Sequence, residues 1–218
     1  HIHHLVLDEA DQMLDMGFIN DVKKIVKLTP NNRQTLLFSA TMPPKIRTLA
    51  NTILKNPEHI NIALSQPAAG ISQQVYMVHD PQKVKLITTL LKDADYKSVL
   101  IFCSRKETVK DLNRTLRKEG IKVEAFHSDL EQEQRETILR AFKSRQLPVI
   151  IGTDVLSRGI DVTGISLVIN FDVPPDPEDY IHRIGRTARA ETKGTAITFV
   201  NERDQRKFSY IETLISKE

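Results

Sequence analysis

The chain has 218 residues, 40% of them hydrophobic and 27% charged, which suits one large globular domain or two modest ones and leaves room for a sizeable core. Its formal net charge of +3 is too small to mark a nucleic-acid binder by bulk charge, so any such argument must rest on where the charges lie. The longest apolar runs, such as VLIFC (99–103) and PVIIG (148–152), fall far short of the roughly 18 residues of a membrane helix, and no membrane association is expected.

In chain order, HIHH carries three histidines without the Cys/His spacing of a metal site and reads as the lead into a strand, HLVLD (4–8). Further strands are expected at QTLLFS (34–39), HINIA (59–63), QVYMVH (74–79), SVLIFC (98–103), KVEAF (122–126), PVIIGT (148–153), SLVINF (166–171) and TAITFV (195–200). Helical patterns lie between them. Val84, Ile87, Leu90 and Leu91 share one side of 80–94, and Val109, Leu112 and Leu116 share one face of 106–120, which stops at Gly120. The alternation predicts an α/β fold, a parallel sheet with helices on both faces. SQPAAGIS (65–72), uncharged and containing Pro and Gly, reads as a linker between an αβ piece (1–64) and a complete domain (73–218). Cys103, the single cysteine, sits in an apolar strand as a buried thiol; with no disulfide possible within the chain, a reducing, cytoplasmic setting fits.

The chemistry-bearing residues cluster at expected strand ends, where open parallel sheets bind ligands. Asp8 and Glu9 close the first strand; one carboxylate there can hold magnesium through its water shell while its neighbour polarises an attacking water. The same acids in a first helical turn would also simply complement the helix dipole. FSAT (38–41) adds the hydroxyls of Ser39 and Thr41, ordinary turn and cap residues when taken alone. In YIHRIGRTAR (180–189), Arg183, Arg186 and Arg189 recur every three residues beside His182 with no acid between, so a local face of uncompensated positive charge is expected, suited to triphosphate oxygens. TDVLSRGIDV (153–162) offers Thr153 for a phosphate and Asp161 for ribose hydroxyls, and HSDLEQEQR (127–135) places Arg135 on a helix. A phosphate cradle is missing: the near miss, GIDVTGIS (159–166), has Ile165 where the lysine is needed.

Together, VLDEAD, SAT, LIFCSR, QEQR, TDVLSRGID and HRIGRTAR resemble, in order and spacing, the motifs of DEAD-box ATP-dependent RNA helicases, with a texture most similar to the bacterial RhlE-type group. The resemblance implies RecA-like domains, with ATP in a cleft between two of them and single-stranded RNA laid across both. Residues 1–64 would be the rear of the first domain and 73–218 the second, with the phosphate loop upstream. It further implies that Asp8 holds Mg2+ through water, that Glu9 activates the hydrolytic water, and that Asp11, Ser39 and Thr41 link nucleotide state to domain closure. Arg186 and Arg189 would be arginine fingers, with Arg158, Gly159 and His182 near the phosphates and Asp161 at the ribose; Ser104, Arg105, Arg135 and Thr153 would meet RNA phosphates. A monomer is expected, with little ATP turnover by the chain alone. Three departures from the family pattern stand out: Ala188 and Ser128 stand at usual glycines, and Leu156-Ser157 replace a pair of smaller residues. Two other readings stay open: a stand-alone RNA- or partner-binding module without catalysis, and DNA unwinding.

Overall fold

Strands buried on both faces need no alternation of polar residues, and the central strands VLIF (99–102) and VIIG (149–152) of this protein carry no polar side chain. In the computed structural model, which describes residues 2–15, 17–39, 42, 44–60, 70–93, 96–156, 165–187 and 193–216, the chain divides into two compact units, His1–Leu64 and Ser65–Glu218.

In the first unit, β1 (His4–Leu7) pairs in parallel with β2 (Gln34–Leu37), in register from His4↔Gln34 to Leu7↔Leu37. Helices α1 (Ala10–Asp15), α2 (Ile19–Leu28) and α3 (Pro44–Ile53) accompany them, and Leu7, Val22, Leu49 and Ile53 form the core. Of the strand expected at 59–63, His59 and Ile60 belong to no strand and the rest lies outside the described residues.

The second unit is built on β3 (Ile71–Met77), β4 (Val99–Phe102), β5 (Val123–Phe126), β6 (Val149–Gly152), β7 (Leu167–Asn170) and β8 (Gly194–Val200). They form one six-stranded sheet, ordered β3-β8-β7-β4-β6-β5 and parallel at every pairing. Its helices are α4 (Asp80–Asp93), α5 (Lys106–Lys118), α6 (Gln132–Lys143), α7 (Pro177–Ile184) and α8 (Gln205–Ser216). Side chains alternate between faces along each strand. Val99, Ile101, Leu167 and Ile169 therefore pack with Ile87 of α4 and with Val109, Leu112 and Leu116 of α5. Leu100, Phe102, Ile150 and Val168 meet Phe142 of α6 on the opposite face, where Ala196 and Val200 also meet Tyr180 and Ile184 of α7 and Phe208 and Ile211 of α8. Helices thus cover both faces.

Two local features follow directly from sequence. Helix α5 ends at Gly120 (φ +81): the Gly120 amide bonds the Arg117 carbonyl and the Ile121 amide bonds that of Leu116, a Schellman closure that needs a left-handed residue. Strand β3 begins at Ile71, inside the stretch read as linker. As an edge strand it takes its register from β8, Ile71↔Gly194 and Ser72↔Thr195, and does not need the apolar run that betrays a central strand.

Candidate functional site

The first unit presents its acids where β1 ends. Asp8 and Glu9 are exposed, and the Glu9 amide donates to Asp8 Oδ1 at 2.9 Å. Glu9 has φ +51, a left-handed conformation that costs a side-chain-bearing residue about 1 kcal/mol. Backbone of this kind is held by its surroundings and clusters at functional sites. The clamps are visible: the Phe38 amide bonds the Leu7 carbonyl (2.7 Å), the Ala10 amide bonds that of Phe38 (3.0 Å), and the buried Asp11 donates its amide to Ser39 Oγ (3.1 Å). Asp11 and Ser39, singled out separately in the sequence, are therefore in direct contact; Thr41 lies outside the described residues. Among the described residues no group of three or more His, Cys, Asp or Glu gathers around a metal position. A magnesium ion at Asp8 would fit as this ion usually binds, on one carboxylate with water and substrate phosphate oxygens completing its shell.

In the second unit, the loops leaving the carboxyl ends of adjacent strands β4, β6 and β7 share one rim. Ser104 and Arg105 follow β4 and are exposed, Arg105 being the N-cap of α5. Thr153 follows β6, is half-buried and accepts the Leu156 amide at 2.8 Å. Gly152 before it has no room for a side chain, since a Cβ would stand 2.8 Å from both the Phe126 carbonyl and Leu156 Cβ. Arg135 of α6 donates through Nη2 to the Ser128 carbonyl (2.8 Å), while its buried Nε finds no protein acceptor. Ser128 itself has no left-handed φ, so serine sits at this usual glycine position without backbone strain.

Helix α7 carries His182 and ends just before Arg186; both are half-buried, and Arg186 Nε donates to the His182 carbonyl at 3.3 Å. The expected face of uncompensated arginines is corrected at Arg183. That residue is fully buried: Nε and Nη2 grip Asp154 at 2.6 and 2.9 Å, Nη1 reaches Asn170 Oδ1 (3.3 Å) and the Asp172 carbonyl (3.1 Å), and the guanidinium lies 5.2 Å from the centre of the Phe102 ring. Its compensating acid comes from the β6 loop, a partner that inspection of the helix alone cannot supply. Arg158, Gly159, Asp161, Ala188 and Arg189 lie outside the described residues.

Around this rim the electrostatics are uneven. Hydrogen bonds from Lys110 and Lys106 hold the Asp129 carboxyl down to about 2. Burial, then Lys110, lowers the pKa of His127, whose Nδ1 is buried without a protein partner. Burial and the nearby Asp154 raise that of Asp179. Burial pushes the Cys103 thiol well up, as befits a core residue rather than a nucleophile.

Sequence reasoning passed over Asp172 and Lys83. Asp172 Oδ2 accepts the Ser104 amide at 2.9 Å, and its Oδ1 faces the buried Lys83 Nζ at 3.5 Å. The available signal was positional: Asp172 stands just past a strand end, like the residues that were chosen.

Residues 82–191 match the family model of the helicase conserved C-terminal domain, and residues 1–49 that of the DEAD/DEAH box helicases. The chain is 42% identical over 213 residues to the DEAD-box ATP-dependent RNA helicase CshA of Geobacillus kaustophilus, covering 97% of this chain and 46% of the relative. It is also 42% identical over 218 residues to the ATP-dependent RNA helicase CshA of Listeria monocytogenes, covering 100% and 42%. The chain thus spans less than half the length of these curated relatives. The RhlE-type affinity expected from sequence texture is not supported, since both are CshA helicases. Among solved structures, S. cerevisiae Dbp5 bound to RNA and ADP BeF3 matches with a TM-score of 0.89 at 33% identity, covering 99% of this chain and 57% of Dbp5. A DEAD box protein from the hyperthermophile Methanococcus jannaschii matches with a TM-score of 0.65 at 42% identity, covering 99% and 58%. With a RecA-like parallel sheet, strand-end motifs and both family models in sequence order, this chain belongs to the DEAD-box helicase family.

Proposed function

We propose that the protein containing this chain is an ATP-dependent, RNA-stimulated helicase that remodels short RNA duplexes, and that residues 1–64 and 73–218 serve in the first and second of its RecA-like domains. One observation carries the reading. Ser104, Arg105 and Thr153 leave the carboxyl ends of neighbouring strands on the same rim, where a phosphate backbone can be held without reading its bases. The similar Dbp5 structure, bound to RNA and ADP BeF3, supports the assignment.

In this reading Asp8 would hold Mg2+, which would neutralise phosphate charge, and Glu9 takes a proton from the attacking water. Asp11 and Ser39, bonded to each other, report the state of that strand end. Arg186 and Arg189 steady charge on the transferring phosphoryl group, with Arg158, Gly159 and His182 beside it and Asp161 at the ribose. ATP, when bound, supplies the phosphoanhydride whose cleavage drives the cycle. Arg105 and Arg135 hold the RNA backbone, Ser104 and Thr153 accompany them, and RNA and nucleotide favour each other's binding by sharing one closed state. The protein acts as a monomer in the cytoplasm.

The test is magnesium-dependent phosphate release, with and without single-stranded RNA, from protein extended upstream to include a phosphate loop. RNA-stimulated release that disappears in Glu9→Gln supports the reading. Turnover that ignores RNA, or that persists in Glu9→Gln, overturns it.

A further inference from the structure

We propose that Asp172 and Arg183 are positioning residues that hold the Ser104–Arg105 and Thr153 loops and helix α7 in one frame, so that the RNA-facing loops and the helix bearing His182 keep a fixed register. The inference rests on the RNA-binding reading above.

The wiring is specific. Through its carboxylate, Asp172 fastens the Ser104 amide (2.9 Å) and faces Lys83 Nζ (3.5 Å) on α4; through its carbonyl it receives Arg183 Nη1 (3.1 Å) from α7 on the opposite face of the sheet. Arg183 continues the chain of contacts to Asp154, the residue after Thr153. One aspartate and one arginine therefore join both helical layers to two loops at a single end of the sheet.

Stability alone is a poor reason for this arrangement. Burying a guanidinium and an ammonium, Arg183 at 0% and Lys83 at 2% exposure, carries a desolvation cost that apolar side chains of similar size would avoid. What the ionic solution adds is direction, because a bidentate guanidinium fixes the orientation of its partner and oil-like packing does not. The contacts described for Arg183 all end on the rim: Asp154 follows β6, Asn170 closes β7, Asp172 follows it, and Phe102 closes β4.

The experiment measures binding of a fluorescein-labelled single-stranded oligouridylate to the 218-residue chain by anisotropy, in a double-mutant cycle. Asp172→Ala removes the acceptor of the Ser104 amide and is expected to weaken binding about fivefold, the worth of one hydrogen bond in a positioned group. Asp172→Asn keeps an acceptor oxygen and should restore most of that loss. In an Arg105→Ala background, Asp172→Ala should cost clearly less, because one of the residues it positions is gone while Ser104 remains. An equal cost in both backgrounds would mean a general loss of folding and overturns the proposal. Should Asp172→Ala fail to fold, Arg183→Lys paired with Thr153→Val provides the same cycle with the same expected non-additivity, and additivity there overturns it equally. Arg105→Ala and Arg135→Ala serve as the check on the underlying reading: if neither weakens binding, RNA recognition at this rim is wrong and the positioning role falls with it.

Discussion

Removing the carboxylate of Asp154 should be among the most damaging single changes in the second unit, although a quarter of its side chain is exposed. Arg183 is fully buried, and the two bonds it makes to Asp154, at 2.6 and 2.9 Å, neutralise it. In Asp154→Ala the guanidinium keeps Asn170, the Asp172 carbonyl and the Phe102 ring, none formally charged, and only the nearby Asp179 carboxylate as counter-charge. Breaking one side of a buried pair costs about 3–5 kcal/mol, and access of water at the exposed edge of Asp154 places the change near 3 kcal/mol. For a unit of this size that lowers Tm by about 6–12 °C. The assay is thermal unfolding at neutral pH, followed by circular dichroism, for wild type, Asp154→Ala and the double variant Asp154→Ala/Arg183→Met. The double variant should be more stable than the single one, since the buried guanidinium that lost its bidentate partner is gone. A drop of less than about 2 °C in the single variant, or a further large drop in the double, would refute the claim that the guanidinium depends on this carboxylate.

Further outcomes are expected at Asp129, His127 and Gly152. Asp129 is held at about 2 by Lys110 and Lys106, below its ordinary 3.8, so the stability it contributes is present above the ordinary value and is lost as pH falls through about 2; a carboxyl-carbon NMR titration checks the midpoint. At neutral pH, Asp129→Asn frees both lysines and should strengthen RNA binding while steepening its salt dependence by about one phosphate contact, read from affinities at several salt concentrations. His127 titrates below 6.5 because burial and Lys110 disfavour its charge, with Lys106 and Arg135 adding to this and Asp129 opposing it; the unfolded chain therefore takes the proton first, and stability declines as pH drops through 6.5. His127→Gln should flatten that part of the urea-midpoint profile. Gly152→Ala places a methyl 2.8 Å from the Phe126 carbonyl and Leu156 Cβ, and should cost about 1–3 kcal/mol in urea unfolding while displacing Thr153 and weakening RNA binding.

The central strands were legible because double-sided burial writes itself as consecutive apolar residues: VLIF, VIIG and the LVI of LVIN need no partner information to be recognised. Strand β3 was legible only in its second half, since Ser72, Gln73 and Gln74 are exposed on an edge and paired by β8 rather than driven inward. At the site, the motifs and the family resemblance pointed to Asp8, Glu9, Ser104, Arg105, Arg135 and Thr153, but the sequence could not tell a surface arginine from a buried one. Arg183 and Arg186 look alike in HRIGR, and what separates them is Asp154, 29 residues earlier, whose contact exists only after β6 and β7 flank β4. The left-handed Glu9 was equally invisible, because a glutamate announces no such backbone.

The strand order has a consequence for synthesis. Strand β3 opens the second unit and β8 is its last strand, yet the two are each other's partners along all seven positions, from Ile71↔Gly194 to Met77↔Val200. While the ribosome is still translating β4 to β7, β3 has already emerged and its partner does not yet exist. Until then the backbone donors and acceptors of β3 stay unpaired on the side that β8 will cover, the kind of edge that recruits chaperones or stray strands. Closure at Val200 is then a late and long-range step, which slows folding of the unit and makes its completion depend on residues near the end of the chain.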